Sequence, residues 1–279
     1  MPKNKFKASI VILDFLKSKR VCENVDSIKK QKVDFPYEII IVDNSCNTQN
    51  AEKLNTLKHY EDLQIHINKK NLGYIGGNNQ GASFASGEYL LIVNPDIIWA
   101  DRDCLEKLVK FMDKNPKVGI CGPKQINDSD NSVAMTVRAF PNMFVQVARR
   151  TFLRYLPIIR KWVAYDEMRH LDYNKVQTVD WLQSSFWIIR KDFWDKLGGL
   201  DKDYFIFMSD PDLCFKCWRE GYQVVYNPEI TVHADGRRAS EGGFLAFFNK
   251  WTLRQHVKDA FVYQLKHLFK ANPHLKSKR

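Results

Sequence analysis

No apolar run in the sequence approaches the roughly 20 residues that a bilayer-spanning helix needs, so no such helix is expected. The basic start, MPKNKFKAS, leads straight into a short strand pattern and lacks the apolar core of a signal peptide. Cysteine is sparse. Of six thiols only Cys214 and Cys217 form a C-x-x-C pair, and no second pair completes a zinc site. They read as reduced core thiols, and these absences together point to the cytosol. Gly73, Gly76 and Gly77 do not follow G-x-G-x-x-G spacing, which leaves a dinucleotide fingerprint unsupported. Repeats and low-complexity linkers are missing too. Acid is short in two places. Residues 138–163 carry six Lys/Arg and no Asp or Glu, and from 244 onward eight Lys/Arg face the single Asp259.

What is present is a chain of 279 residues, long enough to bury one sizeable core. With 44% apolar and 13% aromatic residues it is globular and not disordered. Short β-branched runs, ASIVIL (8–13), YEIIIVD (37–43), LQIHIN (63–68), YLLIV (89–93) and VGICGP (118–123), read as buried strands. Helical patterns lie between them at 17–31, 76–87 and 104–116, the second made of small residues that pack close to a sheet. This alternation predicts an α/β fold with a mostly parallel sheet. Further on, 178–201 reads strand, helix and Gly-Gly stop. Residues 210–236 read helix, strand, turn, strand, and the tail from 244 reads helical. In that tail Phe244, Phe247, Phe248, Trp251, Phe261, Leu265 and Leu268 fall largely on one face.

Four segments place acids or amides at strand ends or loop tips: VDNS (42–45), NLGYIGGNNQG (71–81), VNPD (93–96) and MSDPDLC (208–214). Each has a plain alternative. Asp43 could cap a turn, the glycines could serve a tight turn, and Asn94-Pro95-Asp96 could simply end a strand. In open α/β sheets, however, ligands sit outside the carboxyl ends of the strands. In this order, with WLQSSFWIIRKDFWDKLGGLDKDYFIFMSDPDLCFK and YNPEITVHADG following, the motifs resemble family 2 glycosyltransferases of the GT-A (Rossmann-like) fold. The narrower resemblance is to the branch of bacterial rhamnosyltransferases that build surface polysaccharides. It runs from about residue 8 to about residue 240.

The resemblance implies a GT-A domain over 1–240, with a nucleotide-sugar half (1–125), an acceptor half (126–240) carrying the basic insert 138–163, and a basic amphipathic helical tail, 241–279. It implies that Asp43 binds the nucleobase and that Asn71, Gly73, Gly76, Gly77 and Asn78 line the nucleotide pocket. Asn94 and Asp96 would stand at the metal motif, Asp210 at the general base, and His233 at the metal and diphosphate. Trp181, Ser184 and Ser185 would face the acceptor. Asp212 reads mainly as structural, as an acid suited to the first turn of a helix, and as second choice for the base. Asp210 could also cap that helix. Chemistry agrees with these roles. Mn²⁺ or Mg²⁺ needs few protein ligands when phosphate oxygens supply the rest. A sugar hydroxyl needs a placed carboxylate to take its proton. The family usually carries Glu where Ser209 stands, and a Tyr-Asn signature where Leu13-Asp14-Phe15 stands.

The expected activity is inverting, metal-dependent sugar transfer, with dTDP-L-rhamnose as donor and a lipid-linked or growing saccharide as acceptor. A UDP- or GDP-sugar donor, or a catalytically inactive membrane-associated assembly factor, are the alternatives. The net charge of +11 calls for an anionic partner. The two basic aromatic segments fit the inner face of the plasma membrane, where the chain would sit peripherally. They could instead pack with a solvated basic face or form a homodimer interface. No nucleic-acid motif accompanies the charge, so a nucleic-acid partner is not expected.

Overall fold

A computed structural model describes residues 5–149, 151–236, 251–268 and 270–277. The central sheet begins with β1 (Phe6–Asp14), β2 (Tyr37–Asp43), β3 (Leu63–Ile67) and β4 (Gly87–Val93), with α1 (Ser18–Lys29), α2 (Thr48–Asn55) and α3 (Gly73–Phe84) as crossovers. β1 pairs in parallel with β2 on one side and β4 on the other. The chain therefore moves outward from β1 to β3, then returns past β1 to place β4. The carboxyl ends of β1 and β4 mark this reversal of direction, the usual crevice for a ligand.

Beyond a short β5 (Ile98–Trp99) and α4 (Cys104–Lys114) come β6 (Val118–Asn127), β7 (Val137–Arg138), α5 (Met143–Arg149), a 3-10 turn (Phe152–Tyr155) and α6 (Pro157–Asp166). Then follow β8 (Gln177–Thr178), β9 (Trp181–Leu182), β10 (Phe186–Arg190), α7 (Lys191–Leu197), α8 (Ser209–Arg219) and β11 (Gln223–Ala234). The tail supplies α9 (Trp251–His267) and α10 (Pro273–Ser277). The sheet order is β3-β2-β1-β4-β10-β6-β11-β5, with β8 beside β11 and β7–β9 as a separate ribbon. It is mostly parallel, and β10 runs against both β4 and β6.

Both faces of the sheet are covered, which is why the strands read as unbroken apolar runs. Ile10 and Ile12 face α1 and α4 through Val25, Ile28, Leu105 and Leu108. Val11, one pleat away, faces α3, α7 and α8 through Ile75, Ala82, Phe193 and Leu213. α3 approaches so closely that a Cβ on Gly77 would strike Leu13, and one on Gly81 would strike Val11. Gly73 opens α3 at φ +73°, where a Cβ would also meet the Phe205 ring at 2.8 Å.

Three local expectations differ. Residues 223–234 form one strand with an irregularity between Asn227 and Thr231 in place of strand, turn, strand. The described residues of the basic segment 138–163 form short separate pieces, with Pro141 ahead of α5 and Pro157 opening α6. α2 was not anticipated. It is polar, buries mainly Leu54 and Asn50, and starts on an Asn47 cap that accepts from Asn50 N–H.

The described part of the tail packs against the domain. Tyr263 is in the core. Asp259, fully buried, accepts from the backbone N–H of Ile206 and Phe207 at 3.2 and 2.9 Å. His274 Nδ1 lies 2.7 Å from buried Asp180. Of the apolar tail face, Phe244, Phe247 and Phe248 lie outside the described residues, while Trp251, Phe261, Leu265 and Leu268 are exposed. No described helix is long and apolar enough to cross a membrane.

Candidate active site

Strand ends bring acids together on the crevice side. β1 ends in Asp14 and β2 in Asp43, which are register partners. Asn50 of α2 bridges them, donating to Asp14 Oδ2 at 2.6 Å and Asp43 Oδ1 at 3.2 Å. Burial raises the Asp14 pKa, and neighbouring Asp43 adds to it. Asp43 accepts from Ser45 N–H at 2.8 Å, yet its buried Oδ2 has no hydrogen-bond partner among the described residues. An orphan acceptor at a strand end is an opening for a ligand's N–H.

Asn94-Pro95-Asp96 follows β4. Its backbone is pinned on two sides: Asn94 N–H donates to Ser185 C=O at 2.8 Å, and Asn94 C=O accepts from the Asn24 side chain at 2.9 Å. Asp96 is nearly buried. Lys17 Nζ sits 3.6 Å from Asp96 Oδ1 and 3.7 Å from Asp235 Oδ2. Burial pushes the Asp96 pKa up, Lys17 pulls it down, and Asp235 pushes it up again. Two carboxylates thus share one ammonium.

Asp210 lies in the first turn of α8 and does not cap it. The helix starts at Ser209, and Met208 precedes it at φ +65°. The Asp210 carboxylate instead accepts from Ser184 N–H at 3.1 Å, Ser184 Oγ at 2.8 Å and Ser209 Oγ at 3.2 Å. It keeps some surface toward the cavity, but the protein around it is dense enough that burial raises its pKa, partly opposed by those bonds. Tyr74 Oη donates to Ser184 C=O at 2.9 Å and lies 2.7 Å from Ser184 Oγ, so α3 helps to hold Ser184 against Asp210.

A cavity of about 590 Å³ joins Asn94, Asp96, Trp181, Ser184, Ser185 and Asp210. That volume is ordinary for a small-molecule site. Other expected residues lie elsewhere. Asn71 side-chain oxygen accepts from Gly73 N–H at 2.8 Å and shapes the turn before α3. Gly77 and Asn78 are buried between α3 and the sheet, and Asn78 donates to Tyr74 C=O at 3.0 Å. Gly76 sits in the same first turn of α3, against Leu72. His233 is not in the cavity wall and its Nδ1 meets Asp128 at 3.2 Å. Asp212, expected near the acceptor if not structural, is turned under the tail. His267 Nε2 and Lys216 Nζ each approach it to 2.7 Å. Among the described residues no three metal-type side chains cluster. The residues that sequence reasoning missed are Lys17, Asp235, Tyr74 and three arginines of the cavity wall, Arg138, Arg149 and Arg154.

Comparison with known proteins agrees with this architecture. The family model described as glycosyl transferase family 2 matches residues 9–197. An N-acetylglucosaminyl-diphospho-decaprenol L-rhamnosyltransferase of Mycobacterium tuberculosis is 24% identical over 218 residues, covering 72% of this chain and 69% of its own. The rhamnosyltransferase WbbL of Escherichia coli is 25% identical over 257 residues, covering 88% and 86%. Among solved structures, a mannosyltransferase of Pyrobaculum calidifontis in complex with GDP-Man and Mn²⁺ superposes with a TM-score of 0.62 at 17% identity, over 98% of this chain and 68% of its own. At that identity the likeness concerns the fold.

Proposed function

The chain belongs to glycosyl transferase family 2 and resembles its bacterial rhamnosyltransferases, and from that premise we propose an inverting, metal-dependent transfer of L-rhamnose from dTDP-L-rhamnose to a saccharide on a lipid diphosphate. The observation that carries the reading is that Asp96 and Asp210, from distant parts of the chain, line one cavity with Ser184 and Trp181.

In this reading the base of the donor pairs with the unsatisfied Asp43 oxygen, beside the Asp14–Asn50 network. Near it, Gly77 lets α3 lie close to β1, Asn71 and Gly73 shape the turn that opens α3, and Gly76 and Asn78 pack within that helix. Asp96 and Asp235 fit a hard divalent cation, because the two carboxylates converge on Lys17, at 3.6 and 3.7 Å, and so stand close enough to share one positive charge. Mn²⁺ or Mg²⁺ held there would neutralise charge on the departing nucleoside diphosphate. His233, bonded to Asp128, stands outside this pair.

Asp210 accepts the proton of the acceptor hydroxyl as that oxygen bonds to the anomeric carbon. Its raised pKa makes it a stronger base than an exposed aspartate. Ser184 and Ser209 fix its orientation, and Trp181 offers an apolar face to the acceptor sugar. One displacement with the base opposite the leaving group inverts the anomeric centre. The exposed aromatic and basic faces of 138–163 and α9 would rest on an anionic membrane surface, where a lipid-linked acceptor resides.

Asp210→Asn is the test. Transfer should fall by about 10²–10⁴-fold, the usual worth of general-base help, while dTDP binding persists. Full transfer by that variant would remove Asp210 from the role.

A further inference from the structure

One wall of the cavity has no part in the chemistry above. Arg138 of β7, Arg149 of α5 and Arg154 of the 3-10 turn all line it. Buried Asp166 pairs with Arg149 at 3.0 Å and also feels Arg138. Glu167, near them, is engaged by exposed Arg169. Two guanidinium groups, those of Arg149 and Arg138, thus act on one buried carboxylate, and with Arg154 the arginines of this wall outnumber its acids, Asp166 and Glu167. The wall that carries Asp96 and Asp210 is acidic. An Arg154 N–H donates to Arg149 C=O at 3.2 Å, which ties the two residues together. Arg138 is the register partner of Trp181, the cavity tryptophan, whose indole donates to Ala139 C=O at 2.7 Å.

The same segment also bares apolar side chains to the outside, with exposed Arg160 and Lys161 among them. Phe152, Tyr155, Ile158 and Trp162 are 76%, 77%, 67% and 50% exposed. A segment that turns arginines inward and bare apolar side chains outward matches an amphiphile with an anionic head. Guanidinium groups bind phosphate oxygens in a fork that ammonium groups lack.

We propose that Arg138, Arg149 and Arg154 form the subsite for the acceptor's diphosphate, with the prenyl chain leaving across the apolar face of Phe152, Tyr155, Ile158 and Trp162. The proposal rests on the glycosyltransferase reading and assigns the acceptor's anionic group to a wall apart from the donor's.

The test uses farnesyl diphosphate and farnesol, titrated calorimetrically without vesicles into the full chain and into Arg154→Gln and Arg138→Gln, with dTDP titrated in parallel. Melting temperatures report whether each variant is folded. The wild type should bind farnesyl diphosphate and discriminate against farnesol. Each variant should weaken farnesyl diphosphate by about tenfold or more, the scale of one charge-assisted hydrogen bond. Binding of dTDP should hold within about twofold, less than half of one such bond. Arg154→Lys should recover part of the loss. No binding by the wild type, or equal binding by wild type and both variants, would overturn the proposal. Loss of dTDP affinity in step with farnesyl diphosphate would do so too, by giving the arginines to the donor. Failure of the glycosyltransferase reading itself looks different: the wild type would then transfer no sugar even to a phosphate-free octyl glycoside.

Discussion

Asp259→Ala should loosen the tail and disturb the loop that leads to Asp210 together. Asp259 is fully buried on α9 and accepts from Ile206 N–H, Phe207 N–H and the Gln255 side chain, the last at 2.8 Å. Ile206, Phe207 and Met208 line the cavity, and Met208 leads directly into α8 and Asp210. Alanine leaves two backbone donors without their acceptor, at about 1–3 kcal/mol each. Some of that returns through water, so about 2–4 kcal/mol is expected in total. At about 2–4 °C per kcal/mol for a large domain, the melting midpoint should fall by roughly 4–16 °C. Asp259→Asn keeps one acceptor oxygen and the side-chain shape, and should lose less than half as much. Thermal unfolding of all three chains, with transfer assayed well below the lowest midpoint, makes the comparison. Transfer should fall in Asp259→Ala even where the chain is folded, because the loop before Asp210 has lost its anchor. A midpoint within about 1 °C of wild type would refute the anchoring, since it corresponds to under 1 kcal/mol.

Other outcomes follow from the same geometry. Burial raises the folded-state pKa of Asp210 above 3.8, so the native state holds that proton more tightly than the unfolded chain. Its contribution to stability is therefore lost as pH rises from about 4 through the raised value. Asp210→Asn should flatten this part of the stability profile in urea titrations, and the acid limb of wild-type kcat/KM should lie above the ordinary carboxylate range. His267→Ala removes a partner 2.7 Å from Asp212. It should lower the melting midpoint by a few degrees, consistent with about 1–2 kcal/mol, while the KM for the donor holds, because Asp212 faces the tail and not the cavity. EDTA should abolish transfer and Mn²⁺ restore it in the wild type, whereas Asp96→Asn should not recover in an assay of released dTDP.

Much of the fold was legible because burial on both sheet faces leaves an unmistakable signal. Ile39 to Val42 are buried on alternating faces, so the strand shows as one apolar run. The small residues of α3 announced a close approach to the sheet, and that approach is seen at Gly77 and Gly81. The cavity residues Asn94, Asp96, Trp181, Ser184 and Asp210 were also identifiable from their motifs. Spacing alone could not separate Asp210 from Asp212. Two residues apart on a helix, they point about 200° away from each other, and only the packing of α9 shows which one meets His267. Lys17 and Asp235 meet across more than two hundred residues of chain, a pairing that no local pattern encodes. Arg138, Arg149 and Arg154 come to the cavity from three separate short elements, a convergence hidden in a segment whose composition alone suggests a solvated basic face. α2 was missed because its few buried positions create almost no periodicity.

The most direct test of the proposed activity is the thermal shift of the full chain with dTDP, UDP or GDP, each with and without Mn²⁺. At about 100 times its dissociation constant a ligand stabilises by roughly 2.7 kcal/mol, or several degrees for a chain of this size. The expected result is a Mn²⁺-dependent shift that is largest with dTDP. An equal or larger shift with UDP or GDP would contradict the rhamnosyl donor, and no shift with any nucleotide would contradict the site.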